Sequence, residues 1–271
     1  MKTKTGTVLR HGLASLLMML FGSGAIAAGN AAAPSVEAID SCMRANIPPA
    51  LQIKQFTLNS TDRNGASRQL KGRLFAIRDE GLLRTMLRVD APADLRGAAY
   101  LLREAKAKEQ DAMYIFLPAL NKTRRIMGGT QDNPLFGTDI SYADIKQISH
   151  AFSGGHVVLE KTEQIESRDT YVLKLTPDAA QQSRFAEIRT WVDRESCVAL
   201  RAEFIADQQV RKRYSASAKD LKKSGSRWYV SKGTMEDLSE HSHTELSIDG
   251  VIGSDGLSDL YFNPHSFQLG G

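Results

Sequence analysis

The chain of 271 residues lacks the short motifs that usually mark an enzyme or a cofactor site. It has no Gly-x-Ser-x-Gly elbow, no His-Glu-x-x-His helix, no Cys-x-x-Cys pair and no glycine-rich phosphate loop. His241 and His243 point the same way from a predicted strand, but no third ligand lies nearby in sequence, and solvent-facing positions explain them better. We therefore predict no enzyme activity, no catalytic residue, no cofactor and no metal site.

Cysteine is also scarce, since the sequence contains only Cys42 and Cys197. In an oxidising compartment two cysteines allow one intramolecular pairing, so a Cys42–Cys197 disulfide is predicted. Such a bridge would close a loop of about 155 residues and stabilise the fold by a few kcal/mol. The alternative is a pair of buried free thiols.

Long apolar runs are missing except near the N-terminus. There, residues 13–21 form an apolar segment that is too short for a bilayer core of roughly 30 Å. Basic residues precede it and the small residues of Ala25-Ile26-Ala27 follow it, which is the pattern of a cleaved secretory signal. We predict that residues 1–27 are a signal peptide, with a retained anchor as the alternative, and that residues 28–271 form a single domain.

The exported chain would have no marked excess of either charge. Removing residues 1–27 takes away three of the 35 Lys and Arg residues, which leaves 32 against 31 Asp and Glu. A nearly neutral chain has no basic field to attract nucleic acid, and none is expected as a partner. Aromatic residues make up only 7% of the sequence, so its apolar faces are mainly aliphatic.

From residue 51 onwards, the chain shows side chains that alternate between two faces with a period of two residues. In its first run, Lys54, Phe56 and Leu58 share one face, and in its last run Leu246 and Ile248 do. About eleven such runs, mostly joined by short turns, predict a mainly β fold built as an antiparallel meander that closes or half-closes into a barrel.

One stretch, residues 111–142, differs from the other runs. Residues 113–117 are apolar at both parities, which predicts a strand covered on both faces, and Pro118 ends it. A long loop rich in Gly and Asn follows. Helical spacing is found in residues 35–46 and, more weakly, in residues 141–148. These helices would lie across one mouth or the concave side of the sheet.

A curved sheet with an apolar concave face must fill its interior with side chains or hold a ligand, and the pattern alone leaves both possibilities open. If it holds a ligand, we expect the inward residues to line the cavity. Arg124 and Arg125 are candidates for contact with a partner or an anionic head group, although a solvated hairpin is an equal alternative. The candidate lining residues are Leu83, Leu87, Val89, Leu200, Phe204, Leu246 and Ile248.

Several motifs, each weak alone, resemble one known family in their order and spacing. Together they are similar to the LolA-like outer-membrane lipoprotein-sorting proteins of the periplasm, over nearly the whole exported chain. The motifs are residues 113–118 (MYIFLP), 122–126 (KTRRI), 136–142 (FGTDISY), 191–194 (WVDR), 201–204 (RAEF), 235–238 (MEDL) and 262–264 (FNP).

The resemblance implies a half-open antiparallel β-barrel with an N-terminal helix and short helices as a lid. It also implies a periplasmic carrier that shelters lipoprotein acyl chains or another lipid, and we expect this carrier to be a monomer. Its partners would be an inner-membrane lipid transporter and an outer-membrane acceptor. Two other functions are compatible with the sequence: an envelope sensor or scaffold that binds a protein partner, and, with least support, a hydrolase whose site residues are scattered.

Overall fold

The structure of the protein is a computed structural model that describes residues 33–106, 109–148, 154–254 and 260–270. The predicted signal segment lies outside these residues. Within the described ranges, no helix is both long and apolar enough to cross a bilayer. The chain from Pro34 onwards clusters as one compact unit.

The described residues form fifteen β-strands and two α-helices, α1 (Val36–Arg44) and α2 (Asp144–Ile148). In chain order the strands are β1 (Gln52–Thr61), β2 (Ser67–Asp79), β3 (Leu82–Ala91), β4 (Ala99–Arg103), β5 (Ala112–Leu117), β6 (Lys122–Ile126), β7 (Gly155–Ile165), β8 (Arg168–Pro177), β9 (Glu187–Asp193), β10 (Ala199–Ala206), β11 (Gln209–Ser215), β12 (Leu221–Ser224), β13 (Arg227–Val230), β14 (Lys232–Asp237) and β15 (Ser242–Gly253).

Thirteen of these strands form one antiparallel sheet that does not close. Their order is β6-β5-β4-β3-β2-β1-β15-β14-β11-β10-β9-β8-β7, so the first six strands and the last seven are two meanders joined where β1 pairs with β15. The predicted mainly β meander is therefore confirmed, but the predicted number of eleven strands is too low. The small β12–β13 hairpin is separate from the large sheet.

Residues 226–238 contain two strands, β13 and β14, which belong to different sheets. The chain leaves β13 at Ser231, whose backbone N–H and hydroxyl both donate to the Asp220 carbonyl at 2.8 Å. These bonds hold the end of β13 against the small hairpin. The next residues enter the large sheet as β14, which pairs with β11 and β15.

Helix α1 follows the expected pattern closely. Ser35 caps it, because its hydroxyl accepts a hydrogen bond from the Ala38 N–H at 3.2 Å. Ile39 and Met43 lie on its buried face and pack against β8 and β9 through Leu173 and Val192. The predicted disulfide is present: Cys42 on α1 is bonded to Cys197 in the turn before β10.

Strand β5 is covered on both faces, as its composition predicts. Met113 and Ile115 belong to the main core, on the concave side that we call the inner face. Tyr114 and Phe116 pack on the outer face against a cluster that includes Phe267 of the C-terminal segment. The C-terminal residues thus shield the outer face of β5 from solvent. This explains why β5 is apolar at both parities and does not alternate as a strand with one solvent-exposed face would.

Candidate functional site

A narrow apolar cavity of about 70 Å³ lies between the inner face of the sheet and the segments that cover it. Strands β1, β2, β3 and β15 form its floor. Residues 46–48 after α1, residues 140–145 around the start of α2, and residues 229–230 of β13 cover it, and we call these three segments the lid. The lining residues are Asn46, Ile47, Pro48, Lys54, Phe56, Leu58, Leu74, Ala76, Leu83, Leu87, Ile140, Ile145, Tyr229, Val230, Leu246 and Ile248.

Strand register brings the floor residues together. Phe56 lies opposite Ile248 on β15 and opposite Gly72 on β2, so its ring meets no side chain there. A Cβ atom added at Gly72 would lie 2.7 Å from the Phe56 ring and 2.1 Å from the Arg88 carbonyl oxygen. Only glycine therefore fits at this position, and the Phe56 ring can lie flat across the floor of the cavity.

Helix α1 is attached to both halves of the open sheet. Its disulfide reaches the turn between β9 and β10, and Arg44 reaches the end of β4, where its guanidinium donates to both Glu104 oxygens at 2.9 and 2.8 Å. The Asn46 side chain, just beyond the helix, donates to the Ser196 carbonyl at 2.8 Å and accepts from the Trp228 N–H at 2.9 Å. The lid is thus fixed at several points around the cavity.

Helix α2 is attached in the same way, by charged groups on both sides. Lys146 donates to Asp111 before β5 at 2.6 Å and lies 3.5 Å from Glu104. Asp144, at the start of the helix, pairs with Lys212 on β11, and both side chains are only 2% exposed. Both helices therefore bridge the concave side of the sheet, which is the lid arrangement that the sequence predicts.

Glu104 is the acceptor that joins the two helices. Burial alone would raise its pKa, but hydrogen bonds from Arg44 and from the Leu83 N–H, together with the charge of Lys146, lower the pKa below its usual value. On the other side of this ion pair, the hydrogen bond to Glu104 raises the pKa of Arg44. Both groups remain ionised at neutral pH, and the network keeps the lid attached to β4.

The structure brings four of the candidate lining residues together, since Leu83, Leu87, Leu246 and Ile248 all border the cavity. Val89 and Phe204 lie in the same inner core but away from the cavity. Leu200 is on the outer face, in a cluster with Trp191 and Ile165.

Arg124 and Arg125 lie far from the cavity, on the edge strand β6. Both are exposed, and they point to opposite faces because they are successive residues of a strand. No ion pair involves either residue within the described part of the chain.

Lys54 and Tyr229 are among the lining residues that were not candidates from the sequence. Lys54 is the charged residue of the lining, and alternation already put it on the same face as Phe56 and Leu58. Tyr229 belongs to the small hairpin, whose fold over the cavity no local pattern indicates. Its ring lies 5.2 Å from the Lys54 ammonium.

A larger hollow, of about 760 Å³, lies on the outer face of the sheet. It is bordered mainly by polar and charged residues, including Arg201, Lys232 and Glu245, and it is wide open to solvent. Such a groove offers little to a hydrocarbon chain, so the smaller cavity under the lid is the better candidate for an apolar ligand.

Comparison with known proteins places this architecture in a family. Residues 81–268 match the model of a family described as "-like: Uncharacterized protein", and the match extends over well more than half of the chain. The chain therefore belongs to that family. No curated protein sequence matches it.

Solved structures share the fold at low sequence identity. A DUF1329 family protein from Desulfovibrio piger is 22% identical with a TM-score of 0.75, over 85% of this chain and 98% of that one. An outer membrane lipoprotein-sorting protein domain from Vibrio parahaemolyticus is 21% identical with a TM-score of 0.75, over 85% and 97%. A LolA superfamily protein from Nitrosomonas europaea is 18% identical with a TM-score of 0.65, over 85% and 98%. The LolA-like resemblance is thus confirmed as a fold.

Proposed function

We propose that this protein is a non-enzymatic periplasmic carrier that binds lipoprotein acyl chains, or another lipid, in the cavity under the lid and passes them towards the outer membrane. The observation that carries this proposal is an apolar cavity between the inner face of an open sheet and a lid, in a fold shared with a LolA superfamily protein. Each methylene group buried there would contribute roughly 0.8 kcal/mol.

Because the lid is closed, it has to open before a lipid can enter the cavity. The cavity has room for roughly five water-sized groups, which is too little for a long acyl chain. Uptake therefore requires the lid to move away from β1, β2 and β15. The disulfide holds α1 to one side of the sheet, so opening would involve the small hairpin and α2, and the ion pairs of Asp144 and Lys146 would have to break.

Delivery would use the exposed edge of the sheet. Arg124 and Arg125 on β6 would contact an anionic head group or an acidic surface of a partner. In the proposed route an inner-membrane lipid transporter donates the cargo and an outer-membrane protein accepts it.

The proposal is tested by filling the cavity. Ala76 lines it and is 6% exposed, so Ala76→Leu adds a side chain of about the volume of the cavity. Ala179→Leu, in an exposed turn after β8, is the matched control. We expect the unmodified protein and A179L to take up a fluorescent fatty acid and A76L to lose at least tenfold in affinity while remaining folded.

Native mass spectrometry of the protein purified from its own periplasm gives an independent readout. We expect a lipid to co-purify with the protein, and less of it with A76L. No co-purifying lipid together with no uptake of the fluorescent fatty acid would contradict the carrier function.

The packed interior favours a second candidate, an envelope sensor or scaffold that binds a protein partner. The tilted rings of Phe185 and Phe204 lie 5.2 Å apart and pack on the concave side next to β9 and β10. A stable stoichiometric partner recovered from the envelope, with no lipid bound to either protein, would favour this candidate over the carrier.

A further inference from the structure

Lys54 is unusual among the basic residues of the interior. Arg44, Lys146 and Lys212 each form an ion pair with a buried or half-buried carboxylate. Lys54 lies on the inner face of β1 between Leu74 on β2 and Val251 on β15, and it borders the cavity. Among the described residues, no carboxylate or hydrogen-bond acceptor pairs with its ammonium.

The other polar groups of the cavity do not compensate this charge. The amide of Asn46 already donates to Ser196 and accepts from Trp228. The ring of Tyr229 faces the ammonium at 5.2 Å, which is a cation–π contact, and the remaining lining side chains are apolar. A positive charge held against hydrocarbon costs free energy unless an anion reaches it.

From this arrangement we infer that the cavity takes a single-chain amphiphile with a monoanionic head group, whose anion pairs with the Lys54 ammonium while its chain lies against Phe56, Leu87 and Ile248. A free fatty acid is the simplest such ligand. This inference rests on the proposed carrier function and specifies its cargo. Acyl chains attached through ester or amide linkages have no charge at this position and would leave Lys54 unpaired.

Burial lowers the pKa of Lys54 to about 8, so the ammonium is still mostly protonated at neutral pH and available to an anion. Tyr229 is the other titratable residue of the lining. The cavity thus combines a retained positive charge with an apolar wall, which matches the two ends of a fatty acid.

The test compares head groups on one chain length. Displacement of the neutral dye Nile red would be measured at pH 7, below micelle formation, for laurate and for dodecanol. A second pair, lysophosphatidylglycerol and lysophosphatidylcholine, separates a phosphodiester anion from a carboxylate. The proteins are the unmodified chain, Lys54→Met, Lys54→Arg and, as an exposed control on β2, Lys71→Met.

We expect the unmodified protein to prefer laurate over dodecanol about tenfold, as a charge-assisted hydrogen bond in an apolar site would produce. The preference should fall towards one in K54M and persist in K54R and K71M. A preference only for lysophosphatidylglycerol over lysophosphatidylcholine, again lost in K54M, would support the same site and identify a phosphodiester as its anion.

Equal binding within both pairs of amphiphiles, or a preference that survives in K54M, would overturn the role of Lys54 and leave the carrier function standing. If none of the four amphiphiles binds to the unmodified protein, the carrier function itself fails. The two results are distinguishable because dodecanol and lysophosphatidylcholine need no cation.

Discussion

At the residue scale, Lys54 opposes the stability of the empty protein. Desolvation lowers its pKa from 10.5 to about 8, so the folded state disfavours the charged form that the unfolded chain keeps. Residues that cost stability inside a cavity are commonly retained for binding. This cost can be measured without knowing any ligand.

The Lys54→Met variant should unfold at a higher denaturant concentration than the unmodified protein, with a gain on the order of 2 kcal/mol at pH 7. The sign follows from proton binding: between pH about 8 and 10.5 the unfolded chain binds the extra proton, so the unmodified protein gains stability as pH rises through that window. The gain of K54M should therefore shrink by pH 10.5. Lys71→Met should change stability by less than about 0.5 kcal/mol, and a destabilised K54M at pH 7 would contradict the prediction.

Alternation in the sequence identifies four residues of the cavity floor and assigns one candidate, Leu200, to the wrong face of the sheet. Leu83 and Leu87 on β3, and Leu246 and Ile248 on β15, follow a regular period of two and reach the cavity. Leu200 shares its parity with Phe204, but a bulge between Ala199 and Arg201 shifts the strand, and Leu200 turns to the outer face. A bulge depends on the pairing with β9, which local sequence does not reveal.

At the scale of elements, the sequence shows the charged residues of the two helices but does not show which residues they pair with. Glu104 directly follows β4, and its side chain is only 1% exposed between Arg44 and Lys146. These partners are 60 and 42 residues away from Glu104 in the sequence. Residues 35–46 show their helix clearly, but the place where that helix attaches depends on contacts far along the chain.

Replacing Glu104 with Gln should cost about 2–3 kcal/mol at pH 7, because charge-assisted hydrogen bonds from Arg44 and Leu83 are weakened. The pKa of Glu104 is lowered in the fold, so its contribution is present above its ordinary value of 4.5 and is lost as pH falls through the folded pKa. Urea unfolding at pH 7 and pH 3 should show a deficit for E104Q that is much smaller at pH 3.

The control for this measurement is Glu80→Gln. Glu80 pairs with Lys106 at 3.6 Å, but both side chains are 72% exposed, and such a pair contributes little. An equal deficit for E104Q at both pH values would show that the lost contacts are not ionic.

The disulfide is the second element-scale contact, and its removal should be costly. It closes a loop of 155 residues, for which restriction of the unfolded chain corresponds to roughly 3–5 kcal/mol. A Cys42→Ser, Cys197→Ser double variant should lose about this much in denaturant unfolding, and reduction of the unmodified protein should reproduce the loss. A change below about 1 kcal/mol would mean that the packing of Ile39 and Met43 and the Arg44–Glu104 ion pair hold α1 in place without the disulfide.

At the scale of the whole molecule, the open sheet divides the interior into two regions. Next to β8, β9 and β10 the concave side is filled by side chains such as Phe185, Phe204 and Ile188. Next to β1, β2 and β15 the cavity remains, and the lid covers it. The filled half would act as a rigid support, and the half under the lid would change when a ligand enters.

Hydrogen–deuterium exchange measures this division directly. We expect amides of residues 140–145 and 229–230 to exchange faster than those of β1 and β15, because central strands open only with larger parts of the sheet. Addition of laurate should slow exchange in these lid segments and leave β9 and β10 unchanged, since neither strand contributes a residue to the lining of the cavity under the lid. Matched samples of A76L should show no such slowing. Protection that rises evenly over all thirteen strands of the large sheet, with no preference for the lid, would contradict a binding site between the lid and β1.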